Sequence, residues 1–393
     1  MAYGFVITAG DSPRRLDDAL HKLIAEVRVE QDMSRPTKFA VRFEEDICQG
    51  DRIALSATAI QPGEKIAVLV PDENDALVCL VMGQVTKFKS SAVTGGPGSW
   101  LEVHGEDLRA QWGRESITAT WTGSASDIAG AVFALHEVDA DVKPADTPTF
   151  GTDEGQRSHN QSSPDLQLLD NLARMLGYEF WFTYSASAAG SSYTLVPTAK
   201  FRPSPDYDSA GAGSLPAMPT IDLLAPSGGK TLRLDVAQGC CRNISSFRLD
   251  VDVEKATTAL IGGQDDQTGE ADSDDANDPR PADDPMADLT IASFGCERHI
   301  SHPDAGSSAE QTSQAQATLA DEGWFVTAAA STSAHLLPGV VQSHDIVAVE
   351  GNGFRHSGRY HVSKVVHVVN AWGHLMDLTL RRNALPSAPH VGL

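Results

Sequence analysis

The sequence is poor in basic residues. Lys and Arg number 30 against 53 Asp and Glu, which gives a formal net charge of -23 at pH 7 and a pI near 4.8. Because such a surface repels phosphate backbones and anionic headgroups, the charge balance excludes nucleic-acid recognition and docking on an anionic membrane.

Cysteine and long apolar segments are also scarce. The five cysteines are an odd number, scattered along the chain without a C-x-x-C motif, so they do not form a disulfide framework and fit a reducing compartment. The residues before Asp11 lack the basic start of a signal peptide, and no apolar run approaches the roughly 20 residues that span a bilayer. We therefore expect a cytoplasmic chain that does not insert into membranes by itself.

The composition is otherwise that of a globular protein. With 393 residues, 41% of them hydrophobic, two or three domains are expected. Short alternating runs separated by turn signals predict a first β domain over residues 1–112, with the strand spacing of an antiparallel barrel or sandwich. Inside it, Ser12-Pro13 could start a helix carrying Leu16 and Leu20, whereas residues 27–30 alternate as a strand does. We expect a helical start that gives way to a strand.

The middle of the chain shows helix signals. Ser124-x-x-Asp127 is a capping box before an apolar stripe. Pro164, flanked by Ser163 and Asp165, predicts a second helix with proline at its first position, and Gly177 ends it. The aromatic run at 178–184 and the run at 191–197 predict a strand hairpin, so residues 113–200 form a small α+β module.

The rest of the chain returns to β patterns. Residues 201–230 are rich in Pro, Gly, Ser and Ala and predict a linker, and residues 231–393 predict a second β domain. Within that domain, the Asp-rich tract 262–288 cannot bury enough apolar area and is expected to be a mobile insertion. A capping box predicts a helix over 308–323. The fold class is therefore mainly β with an α+β insert, and no repeat of 20 to 50 residues is present.

Motifs for catalysis are lacking. No G-x-S-x-G, H-E-x-x-H or recognisable Cys/His arrangement occurs, and no carboxylate pair stands out, so neither an enzyme nor a cofactor is expected. Residues 227–231 imitate the end of a P-loop, but its first glycine is missing and a strand follows. The Asp-rich tract lacks the spacing of a calcium loop. Exposed aromatic residues could mark a binding face. The candidates each flank a predicted strand, where packing in the core is favoured instead; they are Trp181, Tyr184, Trp324 and Trp372.

One cluster has the chemistry of a zinc site. Cys296, His299 and His302 are each separated by two intervening residues, and sulfur and imidazole suit zinc, although zinc needs about four ligands and no matching second pair exists. A polar loop with incidental histidines is the alternative. Further histidines could add ligands only if the fold brings them close, namely His356, His361 and His367.

The order of these elements resembles the baseplate hub proteins of contractile tails. That family includes the late-control D proteins of phage tails, gp27-type hubs and the N-terminal half of VgrG spike proteins. Residues 162–181 resemble its helix-then-strand signature, with a D-x-x-x-L-x-x-L-A-x-x-x-G-Y run. Four further stretches, at 82–85, 103–108, 337–339 and 358–367, match its turn and hairpin motifs, and the chain closes with the R-N ending at Arg382-Asn383.

The resemblance implies a structural role. It implies a homotrimer in which two tube-forming β-barrel domains per chain make a ring of six, matching a six-fold inner tube to a three-fold spike, with tube-initiator, tape-measure and LysM-type adaptor proteins as further partners. Because the chain stops soon after Asn383, the spike is expected to be a separate polypeptide. The chain would be cytoplasmic during assembly and then part of the phage tail or injection particle. A secreted β-rich adhesin or a glycan-active enzyme is the alternative.

Overall fold

The computed structural model describes most of the chain. The described residues are 4–45, 57–93, 98–145, 148–151, 158–190, 192–203, 230–234, 242–252, 254, 258–264, 271–277, 297–301, 314–315, 317–318, 321, 323–337 and 339–382. The predicted linker at 201–230 falls almost wholly outside these ranges.

The first β region alternates buried and exposed side chains as the sequence predicts. Along its fourth strand Phe39, Val41 and Phe43 are buried, whereas Lys38 and Arg42 face outward. Its elements are β1 (Val6–Ala9), β2 (Arg14–Arg15), α1 (Asp18–His21), β3 (Ile24–Asp32), β4 (Arg35–Glu45), β5 (Lys65–Pro71), β6 (Leu77–Ser91), β7 (Ser99–Asp107) and α2 (Leu108–Gln111), with a 3-10 turn at Thr58–Ile60.

The expected helix near the start is much shorter than predicted. Residues Arg14 and Arg15 form β2 and pair with β1, and the Leu16 amide donates to the Ile7 carbonyl at 2.9 Å. This pairing holds the segment extended, so helix is confined to the single turn of α1. The predicted change to a strand is confirmed by β3.

The α+β module follows its local signals closely. In the capping box, Ser124 Oγ accepts from the Asp127 amide at 3.1 Å and the Ser124 amide donates to Asp127 Oδ2 at 3.0 Å. Gly177 ends the second helix in the left-handed conformation, with φ of 65°. Pro164 lies at the N-cap, one position before the predicted one. The elements are β8 (Ala119–Trp121), β9 (Gly123–Ser124), α3 (Ala125–Leu135), β10 (Asp139–Val142), β11 (Thr149–Phe150), β12 (His159–Gln161), α4 (Asp165–Leu176), β13 (Tyr178–Ala189) and β14 (Ser192–Pro203).

The second β region occupies the C-terminal part of the chain. Residues 314–315, 317–318 and 321 are helical, in agreement with the helix predicted over 308–323. The elements are β15 (Thr231–Arg233), β16 (Ser246–Val251), β17 (Thr258–Gln264), β18 (Ala271–Asn277), β19 (Glu297–Ser301), β20 (Val326–Ser333), β21 (Ile346–Glu350), α5 (Gly353–His356), β22 (Gly358–Asn370) and β23 (Gly373–Arg382).

Part of the Asp-rich tract that was expected to be a mobile insertion forms a strand, which the sequence pattern did not indicate. β18 pairs antiparallel with β17, from Thr258 opposite Asn277 to Gln264 opposite Ala271. Main-chain hydrogen bonds hold such a hairpin together whatever the charge of its side chains. The remaining tract residues, 265–270 and 278–288, lie outside the described ranges.

A single sheet runs through all three parts. Its strand order is β10-β14-β2-β1-β5-β6-β7-β4-β3-β22-β23-β20-β16, with β13 on β14, β21 on β22 and β15 on β21. Separate hydrophobic clusters fill the first β region, the second β region and the space between α3, α4 and the β13–β14 hairpin. This confirms the predicted fold class, mainly β with an α+β insert. None of the helices in the described ranges is long and apolar enough to cross a membrane.

Candidate functional site

The two β regions are joined edge to edge by β3 and β22, which we call the central joint. Seven residue pairs run from Asp32 opposite Lys364 to Glu26 opposite Asn370. Lys364 Nζ forms an ion pair with Glu30 and lies 3.7 Å from Asp32 Oδ2. Strand pairing with matched charges fixes the relative position of the two regions.

A buried glutamine adds to the central joint. Gln31 Nε2 donates to the Leu80 carbonyl at 2.8 Å, and Gln31 Oε1 accepts from the Ser343 amide at 3.1 Å. One side chain therefore bridges both β regions. Moving the two regions apart would leave this buried amide without one of its hydrogen-bond partners, which costs free energy. The contact therefore favours one arrangement of the regions.

Arg109 fastens the α+β module to the first β region. Its side chain is 5% exposed, and Nη1 donates to the carbonyls of Met33 and Arg35 at 3.3 and 3.5 Å. Nη2 lies 3.2 Å from Asp170 Oδ1 on α4, and the guanidinium stacks over Phe180 of β13. Burial raises the pKa of Asp170 and Arg109 opposes the rise. Arg109 thus contacts both parts at once.

Asp107 lies beside Arg109 and is also buried. Its Oδ2 accepts from the Thr37 amide at 3.0 Å, and burial raises its pKa to about 6 although Arg109 lowers it. Both groups line a polar cavity of about 30 Å³ together with Trp181 and His344. A cavity of this size holds about one water molecule and is far too small for an organic substrate.

A second arginine fastens the module to the second β region. Arg381 Nη2 lies 3.8 Å from Glu179 Oε1 of β13, and its Nε donates to His361 Nδ1 at 3.1 Å. Its guanidinium stacks 4.2 Å above the Trp324 ring. Burial raises the pKa of Glu179 to about 7, with Arg381 opposing the rise, and burial lowers the pKa of His361 to about 3.

The alternation of β13 explains how one strand serves both contacts. Glu179 and Trp181 point to the second β region, where Trp181 stacks on His344 with ring centres 4.0 Å apart. Phe180 and Phe182 point the other way and pack against Trp112. We call the region around Arg109, Arg381 and β13 the junction.

The predicted metal ligands are not assembled in the part of the chain that is described. Cys296 and His302 lie outside the described residues, and His299 is part of β19. Among the described residues no group of three metal-ligating side chains occurs. The other histidines are not brought together either: His361 pairs with Arg381, and His367 Nδ1 lies 2.9 Å from His374 Nε2.

The aromatic candidates divide into contact residues and one exposed residue. Trp181 and Trp324 stack on polar side chains at the junction, and the Tyr184 hydroxyl donates to the Met82 carbonyl at 3.3 Å. Trp372, at the β22–β23 turn, is 96% exposed. Sequence reasoning missed Arg109, Arg381 and Glu179. Arg109 lies in a single helical turn, and Glu179 and Arg381 lie in alternating strands, so the sequence carries no signal that these charged side chains contact other parts of the chain.

Comparison with known proteins finds similarity of structure only. No family model matches the sequence, and none of the curated proteins matches it. A tail protein from Neisseria meningitidis MC58 is similar with a TM-score of 0.62, 15% identity and 97% coverage of both chains. The 43 kDa tail protein of prophage MuSo2 from Shewanella oneidensis is similar with a TM-score of 0.60, 12% identity and coverage of 97% of this chain and 99% of that one.

Type VI secretion proteins are similar too. An Escherichia coli component of that system, described as similar to the T4 tail proteins gp27 and gp5, has a TM-score of 0.51 and 10% identity, with 94% of this chain and 75% of that one covered. A chain of the Francisella PdpA-VgrG complex has a TM-score of 0.54 and 9% identity, with 98% and 59% covered. The chain therefore has the fold of tail and baseplate-hub-like proteins.

Proposed function

We propose that this chain is a structural, non-enzymatic hub of a contractile injection system or phage tail. The observation that carries the proposal is the central joint, which makes one continuous sheet from two β regions in a chain whose fold matches tail proteins over 97% of its length. A protein that transmits force between particle parts needs rigid connections between its regions, and the junction arginines supply them.

The hub works as a trimeric adaptor. Three chains with two β-barrel domains each present six similar units to a six-fold inner tube and three equivalent surfaces to a spike. We assign the barrels to residues 1–112 and 231–393, with the module at 113–200 bracing them. The spike, the inner tube and its initiator, and possible tape-measure and LysM-type partners are separate polypeptides, and the chain ends up in the assembled baseplate.

The alternative of a secreted adhesin or glycan-active enzyme is less well supported. A hydrolase needs two carboxyl groups free to act on substrate. The carboxylates gathered at the junction instead contact buried arginines, beside a cavity that fits no sugar.

Measuring the mass of the purified chain in solution tests the proposal. Sedimentation equilibrium over a range of concentrations, alone and with a spike protein of the same particle, is expected to show the chain as a species of three times its 41.8 kDa mass. A chain that stays monomeric even with its spike would contradict the adaptor role. Peptidoglycan hydrolysis that is lost on a single Glu or Asp substitution would favour the enzyme instead.

A further inference from the structure

The two β regions are copies of one strand arrangement. In the first region the strands lie in the order β5-β6-β7-β4-β3, and in the second in the order β21-β22-β23-β20-β16. The chain order of the matching strands is also the same, with the earliest strand of each set at one edge. The second region contains an added three-stranded sheet, β18-β17-β19, and helical residues between its first two strands, and the α+β module lies between the two sets.

Fine details of the backbone match as well. β6 has an irregularity between Val85 and Lys87, and β22 has one between Val362 and Lys364. In the loop before β5 and in the loop before β21, one residue has positive φ, and its amide donates a hydrogen bond to a carbonyl of the neighbouring strand, β6 or β22. These residues are Gly63, with φ of 85° and a 2.8 Å bond to the Val85 carbonyl, and His344, with φ of 71° and a 2.9 Å bond to the Val362 carbonyl.

Aligning these irregularities also aligns the sequence. Residues 84–87 read Gln-Val-Thr-Lys, and residues 361–364 read His-Val-Ser-Lys. The pairing registers then match β3 to β16, where residues 27–32 read Val-Arg-Val-Glu-Gln-Asp and residues 247–252 read Phe-Arg-Leu-Asp-Val-Asp. Arg28 corresponds to Arg248, Glu30 to Asp250 and Asp32 to Asp252.

The duplication gives two equivalent pairs of strand edges, β22 with β3 and β6 with β16. The central joint uses only the first pair. It joins the far half of β22, beyond its irregularity, to the edge of β3. The equivalent edges are the far half of β6 at residues 87–91 and the edge of β16. Within the described ranges residues 87–91 pair only with β7, and β16 pairs only with β20. Both edges therefore present backbone donors and acceptors for another strand.

We propose that these two edges pair with each other between neighbouring copies of the chain, reproducing the central joint. The register of that joint, transferred by the alignment, places Lys87 opposite Asp252 and Lys89 opposite Asp250 of the next copy. This inference rests on the proposed trimeric hub and names the surface through which its chains associate.

The charges on the two edges fit each other. Lys87 and Lys89 are exposed on β6, and Asp250 is exposed on β16. In the central joint Lys364, the counterpart of Lys87, pairs with Glu30, the counterpart of Asp250. The contact is head to tail because the two edges differ, and a head-to-tail contact gives either a closed ring or an open chain of copies. The trimer of the proposed hub requires the closed ring. In that ring, three of these contacts between chains alternate with three central joints, one within each chain.

Disulfide trapping tests this pairing in the full chain. Directly opposed Cα atoms of antiparallel strands lie about 4.5–5.5 Å apart, within the range that a disulfide spans. The Lys89→Cys/Asp250→Cys variant is therefore expected to give covalent dimers and trimers, with no larger species because the ring closes. Lys89→Cys/Arg248→Cys is shifted by two residues and is the matched control. It should give little product, as should each single variant and the unaltered chain.

Charge reversal provides a second readout without cysteine. Lys89→Glu and Asp250→Lys should each weaken the trimer, so that it dissociates at higher concentration in sedimentation experiments, whereas the two together should restore the original association. Lys22→Glu, at an exposed position just after α1 and on neither edge, should leave the trimer intact.

The outcomes separate the two proposals. A trimer that neither cross-links at 89 and 250 nor responds to charge reversal would overturn the edge pairing and leave the trimeric hub standing. An unaltered chain that stays monomeric, alone and with its spike, would overturn both.

Discussion

At the residue scale, two buried arginines decide how the α+β module is held. Arg109 contacts the first β region and α4, and Arg381 contacts β13 from the second β region. Each guanidinium also lies over an aromatic ring, Phe180 or Trp324, which adds cation-π attraction at desolvated sites. A lysine could not reproduce this set of planar contacts.

Replacing Arg109 should destabilise the fold strongly. Arg109→Met leaves the Met33 and Arg35 carbonyls and the buried Asp107 carboxyl without their cation, so the free energy of unfolding should fall by about 2–4 kcal/mol. Chemical denaturation at pH 7 measures the change. Arg15→Met is the control: its ion pair with Asp18 is largely exposed, and no measurable loss is expected. Equal losses in both variants would contradict the account of Arg109.

Glu179 should make stability depend on pH. Burial raises its pKa in the folded chain to about 7, above the ordinary glutamate pKa of 4.5, so the folded chain binds more protons than the unfolded chain between these values. Stability from this group is therefore lost as pH rises from about 4.5 to 7, and Glu179→Gln removes the loss. Buried histidines such as His361 act in the opposite direction over an overlapping range, so the comparison must be made between variants.

The expected result is a difference that changes with pH. The free energy of unfolding of Glu179→Gln minus that of the unaltered chain should rise by about 2–3 kcal/mol from pH 4.5 to 7 and stay constant above pH 8. Urea denaturation across this range measures it. A difference that is flat throughout would show that Glu179 is not buried as described.

At the element scale, local sequence determines where helices end and how strands alternate. Two glycines, one at a helix end and one inside a helix, illustrate this. Gly177 has φ of 65° at the end of α4, and an added Cβ there would lie 3.3 Å from the Ala317 Cβ. Gly130 lies within α3 with open space around its Cα. The same substitution should therefore have opposite effects at these two positions.

Gly177→Ala should destabilise the chain by about 1–2 kcal/mol, because alanine is strained at positive φ. Gly130→Ala should stabilise it by about 0.5–1 kcal/mol through helix propensity. Thermal unfolding of both variants is the measurement. Destabilisation by both, or by neither, would contradict the assigned conformations.

The same locality shows what sequence reasoning could and could not reach. The capping box at Ser124 and the end at Gly177 were predictable because their partners lie within four residues. The central joint was not, since Glu30 and Lys364 are far apart in the chain and strand pairing leaves no pattern in either strand alone. Two β domains were predicted, but the correspondence of their residues was not, because matching strands share only short strings of similar residues, separated by the inserted module.

At the scale of the whole molecule, the acidic surplus is not spread evenly. The outward face of the strands around the central joint mixes cations and carboxylates in nearly equal numbers. The cations are Arg28, Lys38, Arg42, Lys87, Lys89, Arg248 and Lys364, and the carboxylates are Glu26, Glu30, Asp32, Glu44, Glu102, Glu106, Asp250 and Asp377. The tract 262–288, by contrast, holds many Asp residues and a single basic residue, Arg280. The strands around the central joint are therefore close to neutral, and the acidic surplus behind the net charge of -23 comes from other parts of the sequence.

The most direct test of the hub proposal is electron microscopy of the purified assembly viewed along its axis. The account predicts a closed ring with six similar lobes built from three chains, because each chain contributes two copies of one β arrangement. Single chains, open chains of varying length, or rings whose lobe number is not six would contradict it.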